Sequence, residues 1–349
     1  MFNEKAKIAI YGAGAMGTVL GAFLCRSGVN VTLVCRNQEH VNALKKSGAI
    51  VRYMENGEEK YICAPVNACL PEEMGEGYDL VFLMTKQRQN AEIAKFLQGK
   101  LAENGVVCTT QNGLPEEKLS QILGKERTYG AALTWGANRT ADGEATLTSQ
   151  LSAMSLSLGG YQNDNSKSAE IAAVLEPVST VCKNPNFVSV SENLAGARWS
   201  KLCINAAFSG LSVVTGLTFG EIAKKPKTRR LALAILRECF KTASACGVVL
   251  EPLQGHDMAK LLGGERGIKK VFSWFILPVA IKRHARLKSG MLKDIENGKR
   301  CEIDFIDGAV ADLAKQHGVE TPTIDKLVEI VHGIEDGLYE ITPKNADFF

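Results

Sequence analysis

Apolar residues follow two rhythms along this chain, and the change between them falls near residue 190. Before it, short β-branched runs alternate with helical stretches; after it, a helical spacing of apolar positions takes over almost completely. Residues 7–11 predict a strand, 16–27 an apolar helix stopped by Gly28, and 29–34 a second strand. A short helix over 40–46 and a polar hairpin over 48–63, turning near Asn56 and Gly57, come next. The runs 79–85 (DLVFLMT) and 105–110 are continuously apolar, as strands buried on both faces of a parallel sheet are, and a helix over 90–101 separates them. Residues 129–190 predict shorter strands with turns at 141–143 and 159–160. The fold class expected is α/β: an N-terminal doubly wound sheet over residues 1–190, then an all-helical domain over 191–349.

The first strand and helix enclose GAGAMG, so that Gly12, Ala13, Gly14, Ala15, Met16 and Gly17 stand where a dinucleotide-binding Rossmann turn places them. Gly12 permits the tight turn, Gly14 lets the backbone approach a pyrophosphate, and Gly17 brings helix close to strand. A glycine turn alone is weak evidence, but here strand, helix and second strand all lie within thirty residues, 7–36. At the end of the second strand an NAD enzyme usually carries an acid for the ribose hydroxyl. This chain has Cys35, Arg36 and Asn37, and a guanidinium fork there favours NADP(H), the alternative being a solvated surface arginine. The next two core strands deliver Lys86 with Gln87, and Gln111 with Asn112 and Gly113, beyond their carboxyl ends, where ligands of such sheets bind. Lys86 and Asn112 are therefore candidate cofactor-crevice residues.

Composition narrows the function. A net charge of +3 with mixed signs gives no footprint for nucleic acid. No apolar run nears the roughly eighteen residues of a membrane span; the best, residues 272–281, contains Pro278. No secretory signal is expected before the first strand. The ten cysteines form no CxxC pair, which suits a reducing cytoplasm, and the five histidines are scattered, so no metal site is expected.

The second anchor is a helix predicted over 193–215, apolar almost all round, on which Lys201, Asn205, Ser209 and Ser212 recur at spacings of four, four and three and share a face. A lysine in such a helix needs a charge or a wet cleft; the stripe is either the solvated side of the helix or the lining of an active site. Further on, residues 289–295 and 302–317 predict helices, the second closed by Gly318. Its apolar stripe is read as Ile306, Ala309 and Leu313, with Glu302 at the N-terminal end looking inward and ionised beside the helix dipole. Asp304 and Asp307 fall on other faces, where solvation or capping is expected.

Taken together, GAGAMG with Arg36, TKQ at Lys86, QNG at Asn112, RWSKLCIN at Lys201 and Asn205, and SGMLKDIENGKRCEIDFIDG around Glu302 resemble the ketopantoate reductase (2-dehydropantoate 2-reductase) family over most of the chain. The resemblance implies NADPH and a 2-oxo acid meeting between a Rossmann domain and a helical domain, in pantothenate biosynthesis. It makes Lys201 the proton donor to the ketone oxygen, Glu302 the holder of the substrate hydroxyl, Asn112 a bridge between cofactor and substrate, Lys86 a neighbour of the cofactor, and Asn205 a substrate ligand.

Two positions depart from the family pattern. Ser209 stands where a second substrate-binding asparagine is expected, and Gly290, beside Ser289, stands where a serine is expected. Ser209 and Ser289 join the substrate-binding candidates, and the identity of the 2-oxo acid stays open: ketopantoate first, a bulkier 2-oxo acid or an opine-like product second. A non-catalytic NADP-binding protein is the alternative of another class. The chain also carries extra length in 254–288, where Val271, Phe272, Phe275 and Val279 make an apolar face ahead of a basic run. A lid, a homodimer contact or an ordinary packed helix with a solvated end each fits that segment.

Overall fold

A computed structural model of the protein describes residues 6–253 and 255–349. The chain forms two compact units, the first Met1–Gln111 with Pro115–Leu194, the second Asn112–Leu114 with Ala195–Phe349.

The strands of the first unit are β1 (Ile8–Tyr11), β2 (Val31–Val34), β3 (Ala49–Glu55), β4 (Glu58–Ala64), β5 (Asn67–Cys69), β6 (Tyr78–Leu83), β7 (Leu101–Thr109), β8 (Thr128–Leu133), β9 (Ala137–Ala141), β10 (Glu144–Leu147), β11 (Leu156–Gly160) and β12 (Val188–Val190). Eight of them make one sheet in the order β12-β11-β8-β7-β6-β1-β2-β5. Only the β8–β11 pair is antiparallel. The continuous apolar runs lie at its centre: every residue of β1 is buried, and all of β6 except Asp79. From β1 the chain winds to β2 on one side and later to β6 on the other, so the switch point falls between β1 and β6. This is the doubly wound sheet the pattern predicts.

A smaller sheet, β4-β3-β10-β9, packs against the first helix. Asn56 and Gly57 both take positive φ, 54° and 85°, as a two-residue turn with the twist of its strands requires. The helices of this unit are α1 (Ala15–Arg26), α2 (Gln38–Ser47), α3 (Asn90–Gln98), α4 (Glu116–Leu123), α5 (Ser168–Leu175) and α6 (Val178–Cys182). The glycine pair expected as a turn at 159–160 lies inside β11 instead, paired with Gly130 and Tyr129; small residues there let the chain pass close to Leu194 and Asp164. Helices α5 and α6 interrupt what the pattern reads as strands only.

The second unit is helical: α7 (Leu194–Asn205), α8 (Leu211–Thr215), α9 (Phe219–Lys224), α10 (Pro226–Ala245), α11 (Met258–Leu262), α12 (Gly267–Ala280), α13 (Gly290–Glu296), α14 (Ile303–Gln316) and α15 (Pro322–Glu335). An isolated bridge, Leu253 to His256, is its one β pairing among the described residues. The predicted helix over 193–215 is not uniform, because Ala206–Gly210 forms a turn of π-helix between α7 and α8. The wider turn changes the register of everything after it. Lys201, Asn205 and Ser209 keep partial access to solvent, whereas Ser212 is fully buried, its hydroxyl donating to the Leu217 carbonyl at 2.8 Å.

One expectation about a face is corrected, and one apolar face is open. The buried stripe of α14 is Ile303, Ile306, Asp307, Val310 and Ala314, which puts Asp307 in the core rather than in solvent. On α12, Val271, Phe272, Phe275 and Val279 point outward, with Phe275 68% exposed; Ser273 and Leu277 face the core, and the Arg229 guanidinium stacks on Trp274 at 4.6 Å. All ten cysteines are free thiols. No helix among the described residues is long and apolar enough to cross a membrane.

Candidate active site

In the first unit, β1, β2 and β6 end in register, with Tyr11 opposite both Val34 and Leu83. The segments that leave them therefore emerge at one edge: Gly12–Gly17 after β1, Arg36 after β2, and Lys86 after β6. Gly12 has φ of 108°, and a Cβ there would lie 2.7 Å from the Met84 carbonyl carbon and the Thr85 nitrogen. A Cβ on Gly17 would lie 2.4 Å from the Gly12 oxygen. Both glycines are thus required by the turn itself. Gly14 differs, since a Cβ there would meet nothing within 4 Å. It is the N-cap of α1, no side chain caps that helix, and no acid occupies its first turn. Open space above uncapped N–H groups at the positive end of a helix fits a pyrophosphate. Arg36 is exposed, close enough for its charge to act on the Tyr11 phenol, and makes no ion pair among the described residues. It fits a 2′-phosphate. Lys86, also exposed, precedes a short 3₁₀ turn.

Two groups behind this edge escape a reading by motif. His40 is buried; it accepts the Gly143 N–H on Nδ1 at 3.1 Å, which leaves Nε2 as the donor to Thr18 Oγ1 at 3.2 Å. Burial and the Arg139 charge lower its pKa, although Asp142 opposes them, so the ring stays neutral. Thr18 Oγ1 in turn lies 3.5 Å from the Ala13 carbonyl, which ties the glycine turn to the β9–β10 turn. Beyond β6 and β7, the Gln111 amide donates to Asn90 Oδ1 at 2.7 Å and to Thr85 Oγ1 at 3.2 Å, while Thr109 Oγ1 and Asn90 Nδ2 donate to its oxygen. This buried network fixes the chain just before Asn112. Gln111 in QNG was the visible signal for it.

The second unit holds the remaining candidates. Asn112 belongs to it with Gly113 and Leu114, the last packed on the helical core. Lys201 lies on α7, half-buried with part of its surface still reaching solvent. Burial, reinforced by the Arg198 guanidinium one turn earlier, pushes its ammonium down to about 7. Asn205 ends α7 one turn further on, and Ser209 sits within the π turn. Glu302 is the N-cap residue of α14, half-buried, and its carboxylate does not cap the helix that it precedes. Ser289 is 3% exposed, and its hydroxyl oxygen accepts the Leu292 N–H at 2.9 Å as the cap of α13, leaving its O–H and one lone pair for a ligand. A Cβ on Gly290 would meet nothing within 4 Å. Helices α13 and α14 both pack on the π turn.

A doubly wound sheet whose glycine turn opens its first helix, joined to a helical unit, is the architecture of an NAD(P)-dependent oxidoreductase. Comparison with known proteins narrows the class. The family model for ketopantoate reductase PanE/ApbA matches residues 8–158, and that for the ketopantoate reductase PanE/ApbA C terminal matches residues 193–335. The chain belongs to the ketopantoate reductase family. A 2-dehydropantoate 2-reductase of Archaeoglobus fulgidus is 27% identical over 337 residues, 95% of this chain and 99% of that protein. Among solved structures, D-mandelate dehydrogenase in a ternary complex with NADH and anilino(oxo)acetate is similar with a TM-score of 0.78 at 25% identity, over 95% of this chain and 99% of that one. A PanE/ApbA family ketopantoate reductase from Ralstonia eutropha JMP134 gives 0.77 at 25% identity over the same shares.

Proposed function

We propose that this chain reduces a 2-oxo acid to the 2-hydroxy acid with NADPH, with ketopantoate as first substrate and (R)-pantoate as product, in pantothenate biosynthesis. The observation that carries the reading is Lys201, a half-buried ammonium brought to about 7 on a helix that presents Asn205 one turn on. Bound NADPH supplies the hydride to C2. The Gly12–Gly17 turn would receive its pyrophosphate on the main-chain N–H groups of the first turn of α1, since those of Gly12, Ala13 and Gly14 already donate to Val34 and Gly12; Arg36 would take its 2′-phosphate, and Lys86 would lie near it. Negative charge then develops on the ketone oxygen, and Lys201 answers it twice, first as a cation and then as the donor of the proton. A pKa close to neutral lets the amine regain that proton from solvent after each turnover. Asn205 and Ser209 would hold the acid, Glu302 its hydroxyl group, Ser289 would lend a donor, and Asn112 would join cofactor to substrate.

One observation favours a second reading, a bulkier 2-oxo acid. Ser209 is smaller than the asparagine of the family pattern, and Gly290 stands in open space. The D-mandelate dehydrogenase neighbour was solved with anilino(oxo)acetate, which carries an aromatic ring, and with NADH. NADPH oxidation with ketopantoate, 2-oxoisovalerate and phenylglyoxylate, each repeated with NADH, separates the readings. Turnover confined to ketopantoate supports the first, preference for phenylglyoxylate the second. NADPH binding without turnover of any of them removes both in favour of a non-catalytic binding protein. A cytoplasmic homodimer goes with this proposal, and light scattering on the purified chain tests its dimeric part.

A further inference from the structure

Asp307 sits on α14 with no exposed surface, and neither of its carboxyl oxygens accepts a hydrogen bond. A buried carboxyl left so is costly and calls for an explanation. Its position supplies one. A Cβ added to Gly210 would come within 3.3 Å of Asp307 Oδ2, so the carboxyl lies against the last residue of the π turn, and glycine leaves it room. The Leu327 side chain closes on the same glycine from α15. No cation is among the groups that act on this carboxyl, and burial raises its pKa well above the ordinary value, which favours the protonated form, an acid with one O–H to donate. A π turn, for its part, inserts a residue into the helical ladder and frees a main-chain carbonyl. Such turns gather at functional sites.

We propose that Asp307 is a positioning residue: its carboxylic acid O–H donates to a main-chain carbonyl released by the 206–210 π turn, and so holds the turn that sets Ser209 relative to Asn205 and Lys201. The catalytic part of this inference rests on the function proposed above; the structural part does not.

The test compares Asp307→Asn and Asp307→Leu in the full-length protein. The amide keeps a donor, so Asp307→Asn should retain KM and kcat within a few-fold, whereas Asp307→Leu should raise KM for the 2-oxo acid about tenfold to a hundredfold, as a misplaced substrate contact does. NADPH binding, followed by fluorescence, should change in neither. Two readouts need no turnover. The infrared difference between wild type and Asp307→Asn at neutral pH should show the carbonyl stretch of a protonated carboxylic acid, and amide exchange in residues 206–210 should quicken in Asp307→Leu alone. An ionised carboxylate in the infrared difference overturns the proposal, and so does unchanged exchange in a folded Asp307→Leu. If Asp307→Leu does not fold, Asp307→Ala, which also lacks the O–H, replaces it. If no 2-oxo acid is turned over, the proposed function fails while infrared and exchange still decide the role of Asp307.

Discussion

The glycine turn after β1 and the lysine helix α7 are built on opposite principles. On the function proposed, the backbone of the first is the binding group and side chains are kept away: two glycines are demanded by close contacts and a third leaves its space open. In the second, on the same proposal, a side chain acts, its charge weakened by burial and by a neighbouring guanidinium. The first shows in the spacing of its glycines and can be recognised within thirty residues, although Gly12 is also held by the main chain of residues 84 and 85. The second depends on what several helices do around it, and its chemistry cannot be seen in any short string.

Substitutions can break each half of that contrast separately. The largest effect expected is from Lys201→Ala, which should lower kcat about a hundredfold or more, the range of a lost general acid, with the KM for NADPH unchanged. Next comes Arg36→Asp, which removes charge-assisted contacts worth about 1.5–3 kcal/mol and should swing the ratio of kcat/KM for NADPH over NADH by roughly tenfold to a hundredfold toward NADH. Gly14→Ala should raise the KM for NADPH about tenfold, some 1.4 kcal/mol, with an unchanged Tm, because its Cβ enters only the ligand's space. Gly12→Ala should lower the Tm as well, since its Cβ meets the main chain of residues 84 and 85. If the two glycine variants behave alike, the division between structural and binding glycines is wrong. The smallest effect expected is from Ser209→Asn, a few-fold change in the KM for ketopantoate relative to phenylglyoxylate, which reports which oxo acid the site prefers.

Lysine burial also sets two pH dependences. The proton-donating form of Lys201 is present below about 7, so kcat should fall as pH rises through that value. Stability moves the other way. The group binds its proton more weakly folded than unfolded, so burial opposes folding below about 7 and the penalty fades as pH climbs toward the ordinary lysine range. Lys201→Met should therefore raise the Tm most at acid pH and progressively less above neutrality.

What the amino-acid pattern conveyed follows the same divide. The central strands of the doubly wound sheet were legible because they are apolar without interruption, and the glycine turn because its constraints are local. The parallel pairing of β3 with β10 was not, since it joins segments far apart in the chain. The π turn is hidden because an unbroken period of 3.6 through residue 215 fits the apolar pattern equally well; the inserted residue turns Ser212 inward. Asp307 falls in solvent on the sequence reading for a related reason. The apolar pattern suggests a stripe of Ile306, Ala309 and Leu313, whereas the helix buries Ile303, Ile306, Val310 and Ala314, with Asp307 on the same face. A polar residue within an apolar stripe is invisible to a method that locates the stripe by its apolar members.

The assignment of Asn112–Leu114 to the helical unit, with first-unit residues on both sides, bears on how this protein can be recombined. Neither unit is one continuous piece of chain. A chimaera joined only at Leu194 would pair the new helices with a foreign tripeptide at the very position proposed to link cofactor and substrate, and Leu114 would lose the core it packs on. Swapping specificity between relatives therefore takes three cuts in the gene where the fold suggests one.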